Sequence, residues 1–136
     1  MSTETIFDSQ SGTIWYHPDT KILHHKIHKY MYDQEFKDFL MMGTNTLKEK
    51  GSQKWLSDDQ TNLVISKEHM AWGEREWFPK TIAAGWKYWA IVKPKNVIGQ
   101  MDLEKMAKDY GTKGVEARFF DNPDDAYHWL VSINRA

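Results

Sequence analysis

Segments with the two-residue period of strands alternate with segments that have the helical period, all along this chain. That alternation limits the fold more than any other feature. Thr13-Ile14-Trp15-Tyr16-His17 is rich in β-formers, Pro18-Asp19-Thr20 is a turn signal, and Ile22-Leu23-His24-His25-Lys26-Ile27 reads as the returning strand. Phe36, Phe39, Leu40, Gly43 and Leu47 then fall on one helical face, with Asp33 as its expected cap and Gly51 as its stop. Trp55-Leu56-Ser57 is a short strand, and Asp58-Asp59-Gln60-Thr61-Asn62 is a polar loop beyond its end. Ser66 opens a second helix whose course must accommodate Pro79, by a kink or by a break into two helices. Trp86–Val92 is a strand. Asp102 is the expected cap of a third helix ending at Gly111, and Val115, Ala117 and Phe119 give a fifth strand. Asn122-Pro123-Asp124-Asp125 combines a cap, a proline in the first helical position and acids in the first turn, and so starts a last helix.

The resulting order, β-β-α-β-α-β-α-β-α, predicts an α/β fold: a mostly parallel five-stranded sheet with an N-terminal antiparallel hairpin and about four helices. With 136 residues, one domain over residues 11–136 is expected, preceded by a flexible arm over residues 1–10. A chain of this size can close a core without staples.

Composition removes several classes of function. Eighteen Lys and Arg against nineteen Asp and Glu leave no basic excess, so no nucleic-acid partner is expected. The chain has no cysteine, hence no thiol nucleophile, disulfide or thiolate zinc site. His24 and His28 lie on one strand face but about 13 Å apart, too far to share an ion; His17 can pair with one of them across the hairpin. Half-exposed strand histidines and no bound metal or cofactor are the expectation. There is no phosphate-cradling glycine loop and no Gly-x-Ser-x-Gly elbow. No run resembles a secretory leader or a membrane span, so a cytoplasmic protein is expected.

The opening hairpin, the stretch from Trp77-Phe78-Pro79 through Ala83-Ala84-Gly85 into the strand to Val92, and the ending Phe119-Phe120-Asp121-Asn122-Pro123-Asp124-Asp125-Ala126-Tyr127-His128-Trp129-Leu130 resemble the SpoIIAA-like family. The resemblance runs from about Gly12 to the C-terminus. It implies the fold of the STAS domain and a small stand-alone bacterial domain, but no reaction. Relatives that act by phosphorylation carry an Asp-Ser-Ser/Thr-Gly-like turn. The nearest segment here, Asp58-Asp59-Gln60-Thr61-Asn62, lacks it, so a phosphorylation switch is not expected. The fold also resembles lipid-transfer domains of the CRAL-TRIO class.

Two groups of residues stand out as candidate binding positions. Asp58 and Asp59 lie beyond a strand's C-terminal end, where open α/β sheets bind ligands. Trp72, Trp77, Phe78 and Trp86 are denser than one helix and a strand start require, and Trp72 and Trp77 lie about 140° apart on an α-helix, too wide for one narrow stripe. The leading expectation is a non-enzymatic interaction or regulatory module that binds a protein partner or itself through the second helix and the preceding loop. An apolar small-molecule or lipid-binding domain is the second, marked by a cavity of about 300 Å³ or more. An enzyme using Asp58 and Asp59 is the third.

Overall fold

The structure, a computed structural model, describes residues 3–60 and 65–133. It is an α/β fold built on a six-stranded mixed sheet with strands in sequence order: β1 (Glu4–Asp8), β2 (Gly12–His17), β3 (Ile22–Ile27), β4 (Lys54–Asp58), β5 (Tyr88–Val92) and β6 (Glu116–Phe120). β1, β2 and β3 pair antiparallel; β3 through β6 pair parallel. The hairpin, the parallel strands and their alternation with helices are thus as expected from the sequence. The strand count is six rather than five, because Glu4–Asp8 is an edge strand where the sequence reading has only a flexible arm. A register shift between Thr5 and Phe7 breaks its alternation, and adjacent Ile6 and Phe7 both pack on the core.

Three crossovers lie on one face of the sheet. α1 (Asp33–Lys50) contributes Phe36, Phe39, Leu40 and Leu47, and α4 (Val97–Gly111) contributes Leu103, Ala107 and Tyr110. Between them runs one continuous helical segment in three parts: α2 (Lys67–Trp72), a π-helical turn (Gly73–Trp77) and α3 (Phe78–Ala83). The π turn is this chain's solution to Pro79. The Phe78 N–H reaches back five residues to the Gly73 carbonyl, and the proline follows in the first turn of α3, where its missing N–H costs least.

α5 (Pro123–Ser132) covers the opposite face alone, setting Ala126 and Leu130 against Ile22, Leu56, Ala90 and Val92. Asn122 caps it by accepting from the Asp125 N–H at 2.9 Å, and Ser66 caps α2 by accepting from the His69 N–H at 3.1 Å, both as read from the sequence. Two expected caps differ. Asn96, not Asp102, caps α4 by accepting from the Gly99 N–H at 3.0 Å, so the helix begins a turn and a half earlier. The residue preceding α1 is Tyr32, with Asp33 inside the helix as one of two acids in its first turn.

Candidate functional site

Parallel strands place their C-terminal ends side by side, and loops leaving those ends form a crevice above the sheet. Here a half-open pocket of about 40 Å³ lies at the ends of β3 and β4 and beside Trp89 near the start of β5, on the face covered by three crossovers. Its floor comes from His25 and Ile27 on β3, Ser57 on β4, Asp59 just beyond it, and Trp89 on β5. Its walls are Phe36 and Leu40 of α1, His69 of α2, Gly73 and Trp77 at the two ends of the π turn, and Leu103 and Met106 of α4, with Ile65 before α2.

The buried polar groups of the floor have defined hydrogen bonds. The Trp55 indole N–H donates to His25 Nδ1 at 2.9 Å. An Nδ1 that accepts carries no proton, so the His25 proton sits on Nε2, which faces Asp59 Oδ1 at 3.3 Å. The His25–Asp59 contact is therefore a hydrogen bond from a neutral ring to a carboxylate rather than an ion pair. Trp89 donates its indole N–H to Ser57 Oγ at 2.9 Å. Ser57, His25 and Asp59 are the residue types of a hydrolytic triad, but both nitrogens of His25 are already engaged, by Trp55 and Asp59. Neither is left to take a proton from Ser57, so no relay is assembled. His69 stacks on Phe36, ring centroids 4.5 Å apart.

The candidate residues read from the sequence separate into three places. Asp59 and Trp77 line the pocket, and Asp59 is buried. Asp58 lies on the other face of the sheet, because neighbouring strand residues alternate faces. There it faces Lys26 Nζ at 3.9 Å and accepts from the Gln60 N–H. Burial, chiefly, raises its carboxyl above the ordinary range. The two acids therefore do not converge, and a shared acid–base role has no geometry to support it. Phe78 and Trp86 are core residues packed on Tyr110, and Trp72 is half-buried against Phe36 with Lys37 over its ring. Trp77 joins Trp55, Trp86 and Tyr110 in one aromatic cluster. Much of the aromatic surplus is thus core.

The sequence reading missed His25 and His69. His25 is buried rather than half-exposed, since a tryptophan and an aspartate 30 and 34 residues away along the chain satisfy both its nitrogens. His17 does pair with His24 across the hairpin, Nε2 to Nδ1 at 3.2 Å. Among the described residues no three His, Asp or Glu side chains are grouped to hold a metal ion, and no helix is long and apolar enough to cross a membrane. Thr61 and Asn62 of the polar loop lie outside the described residues. A pocket of about 40 Å³ falls far short of the roughly 300 Å³ that would mark a lipid or drug-sized ligand.

No family model, no curated protein and no solved structure matches the chain.

Proposed function

We propose that this chain is a STAS-like interaction module of the SpoIIAA-like kind, which holds a protein partner against the C-terminal edge of its parallel strands and performs no chemistry of its own. One observation carries the reading. Six large apolar side chains are exposed among the described residues, and five of them lie at this edge. Tyr30 and Tyr32 are on the connection from β3 to α1; Val97, Ile98 and Met101 are on the first turns of α4, after β5. Tyr32, Val97, Ile98 and Met101 are each more than 60 % exposed. Isolated apolar residues on a surface need no explanation, but a concentration at one edge is the mark of a contact surface. The half-buried Trp72 on α2 adds to the same edge, in keeping with the helix expected to carry the contact.

The first partner to test is a second copy of the chain. Sedimentation velocity over a concentration series should give a reversible dimer, and the combined change Tyr32→Ser, Ile98→Ser and Met101→Ser should return a folded monomer. A wild-type protein that stays monomeric at all concentrations, or a dimer that the triple variant leaves intact, would overturn self-association through this edge.

The triad-like residues give no competing enzymatic reading, because the hydrogen bonds of His25 are already committed.

A further inference from the structure

We infer that the pocket over β3–β5 is a binding site for a small organic cation, a primary or methylated ammonium group, with Asp59 as its counterion. This stands apart from the docking edge and does not rest on it.

Asp59 is only 3 % exposed. A carboxylate so far from water is stable only when paired or well hydrogen-bonded. Its one side-chain partner among the described residues is the Nε2–H of His25. That ring brings no positive charge, since Trp55 holds Nδ1 as an acceptor. Among the described residues no lysine or arginine lines the pocket; its other ionisable side chain is His69, whose ring is stacked on Phe36 and makes no hydrogen bond to Asp59, and Lys26, the nearest basic residue on β3, is turned to the other face with Asp58. Among the described residues the Asp59 carboxylate therefore has a single neutral donor, and an incoming monocation supplies what is missing.

The walls favour an organic cation over a hydrated metal ion. Trp77, Trp89 and Phe36 surround the space with aromatic surface, which attracts an ammonium group electrostatically and solvates its methyls. The remaining neighbours are mainly aliphatic, and too few oxygens converge to replace the shell of a metal ion. A volume of about 40 Å³ holds roughly three water-sized groups, the scale of a methylated ammonium head. Ser57 Oγ, which already accepts from Trp89, has a hydroxyl proton left to donate to a hydroxyl or carbonyl carried by the same ligand. The chemistry fits a free amine or a lysine side chain offered by a partner.

The test is titration of the full chain with methylammonium and tetramethylammonium chloride, followed by the indole N–H resonances of Trp55, Trp77 and Trp89. Potassium chloride and tert-butanol serve as the charge-only and shape-only controls. We expect saturable shifts with at least one ammonium salt, absent with both controls, and affinity at least tenfold weaker in Asp59→Asn. Nα-acetyl-lysine methylamide is the further arm: tighter binding than methylammonium assigns the site to a partner's lysine, weaker binding to a free amine. Because Asp59→Asn could perturb folding, Met106→Trp provides a second variant that fills the pocket from its half-buried wall and keeps the His25–Asp59 pair; it should also abolish the shifts. No saturable shift with any ammonium, equal shifts with tert-butanol, or undiminished binding in both variants would overturn the inference. The triple variant of the docking edge should bind ammonium as the wild type does, so the two readings can fail separately.

Discussion

His24 sits next to the candidate site in sequence but on the opposite side of the sheet, and its environment makes a prediction of its own. Its Nδ1 meets His17, while its buried Nε2 has no partner among the described residues. Burial first, then the nearby His17 and Lys26, lowers its pKa from 6.5 to about 3. Burial lowers that of His17 too. Below pH 6.5 the unfolded chain therefore binds protons that the folded chain refuses, and stability must fall as the pH drops from 6.5 toward 3. The limiting slope for one such group is about 1.4 kcal/mol per pH unit. Asp58, whose carboxyl is raised by burial, opposes the trend at the acid end. Urea unfolding between pH 7 and 5 should show wild-type stability declining more steeply than that of His24→Gln. Parallel curves would mean that His24 takes up its proton freely in the fold. At this scale the sequence is least legible. The strand period correctly opposes His24 and His25, but nothing local says that Trp55 and Asp59 will close around His25. Those bonds exist only once β3 and β4 lie in register.

For the secondary-structure elements, legibility follows how local the cause is. The Asn122-Pro123-Asp124-Asp125 start of α5 and the Ser66 cap of α2 read directly, because a cap and its N–H lie three residues apart. The same rule misplaces the start of α4, where Asn96 and Asp102 both satisfy it and exposed Val97 and Ile98 conceal the first turns. β1 is illegible because its bulge erases the two-residue period. The π turn is half-legible: Pro79 signals a disturbance, but its form depends on how the widened turn seats Trp77 in the core. α1 offers a prediction in which propensity and packing conflict. Gly43 lies mid-helix, where alanine would ordinarily stabilise by roughly 0.5–1 kcal/mol. A β-carbon there would stand 2.6 Å from the Trp55 ring, which is wholly buried. Overpacking of this kind costs about 1–3 kcal/mol, so packing should win and Gly43→Ala should be less stable than the wild type in denaturant unfolding. A stabilised variant would mean that α1 lies further from the sheet.

Across the whole molecule, the sheet divides the interior into two unequal cores. One face carries three crossovers, the aromatic cluster and the pocket; the other carries α5 alone, on Ile22, Leu56, Ala90 and Val92. The division follows from the winding. β3 to β6 advance in one direction across the sheet, right-handed crossovers in one direction stack on one side, and only the final helix is left for the other. The α/β class and this alternation were legible in the sequence; the unequal division was not, since it depends on strand order. Stability and binding should therefore be separable by face. Leu130 is fully buried against the smaller core, and its truncation to alanine should cost about 2–5 kcal/mol. The same change reaches the pocket only through the backbone of β4 and β5. Leu130→Ala should thus lower the denaturation midpoint with little change in m, while the indole N–H shifts of Trp55, Trp77 and Trp89 and the response to ammonium salts stay as in the wild type. If those resonances moved as far as they do in Asp59→Asn, the sheet would be transmitting strain from one core to the other, and α5 would have to be counted among the elements that shape the pocket.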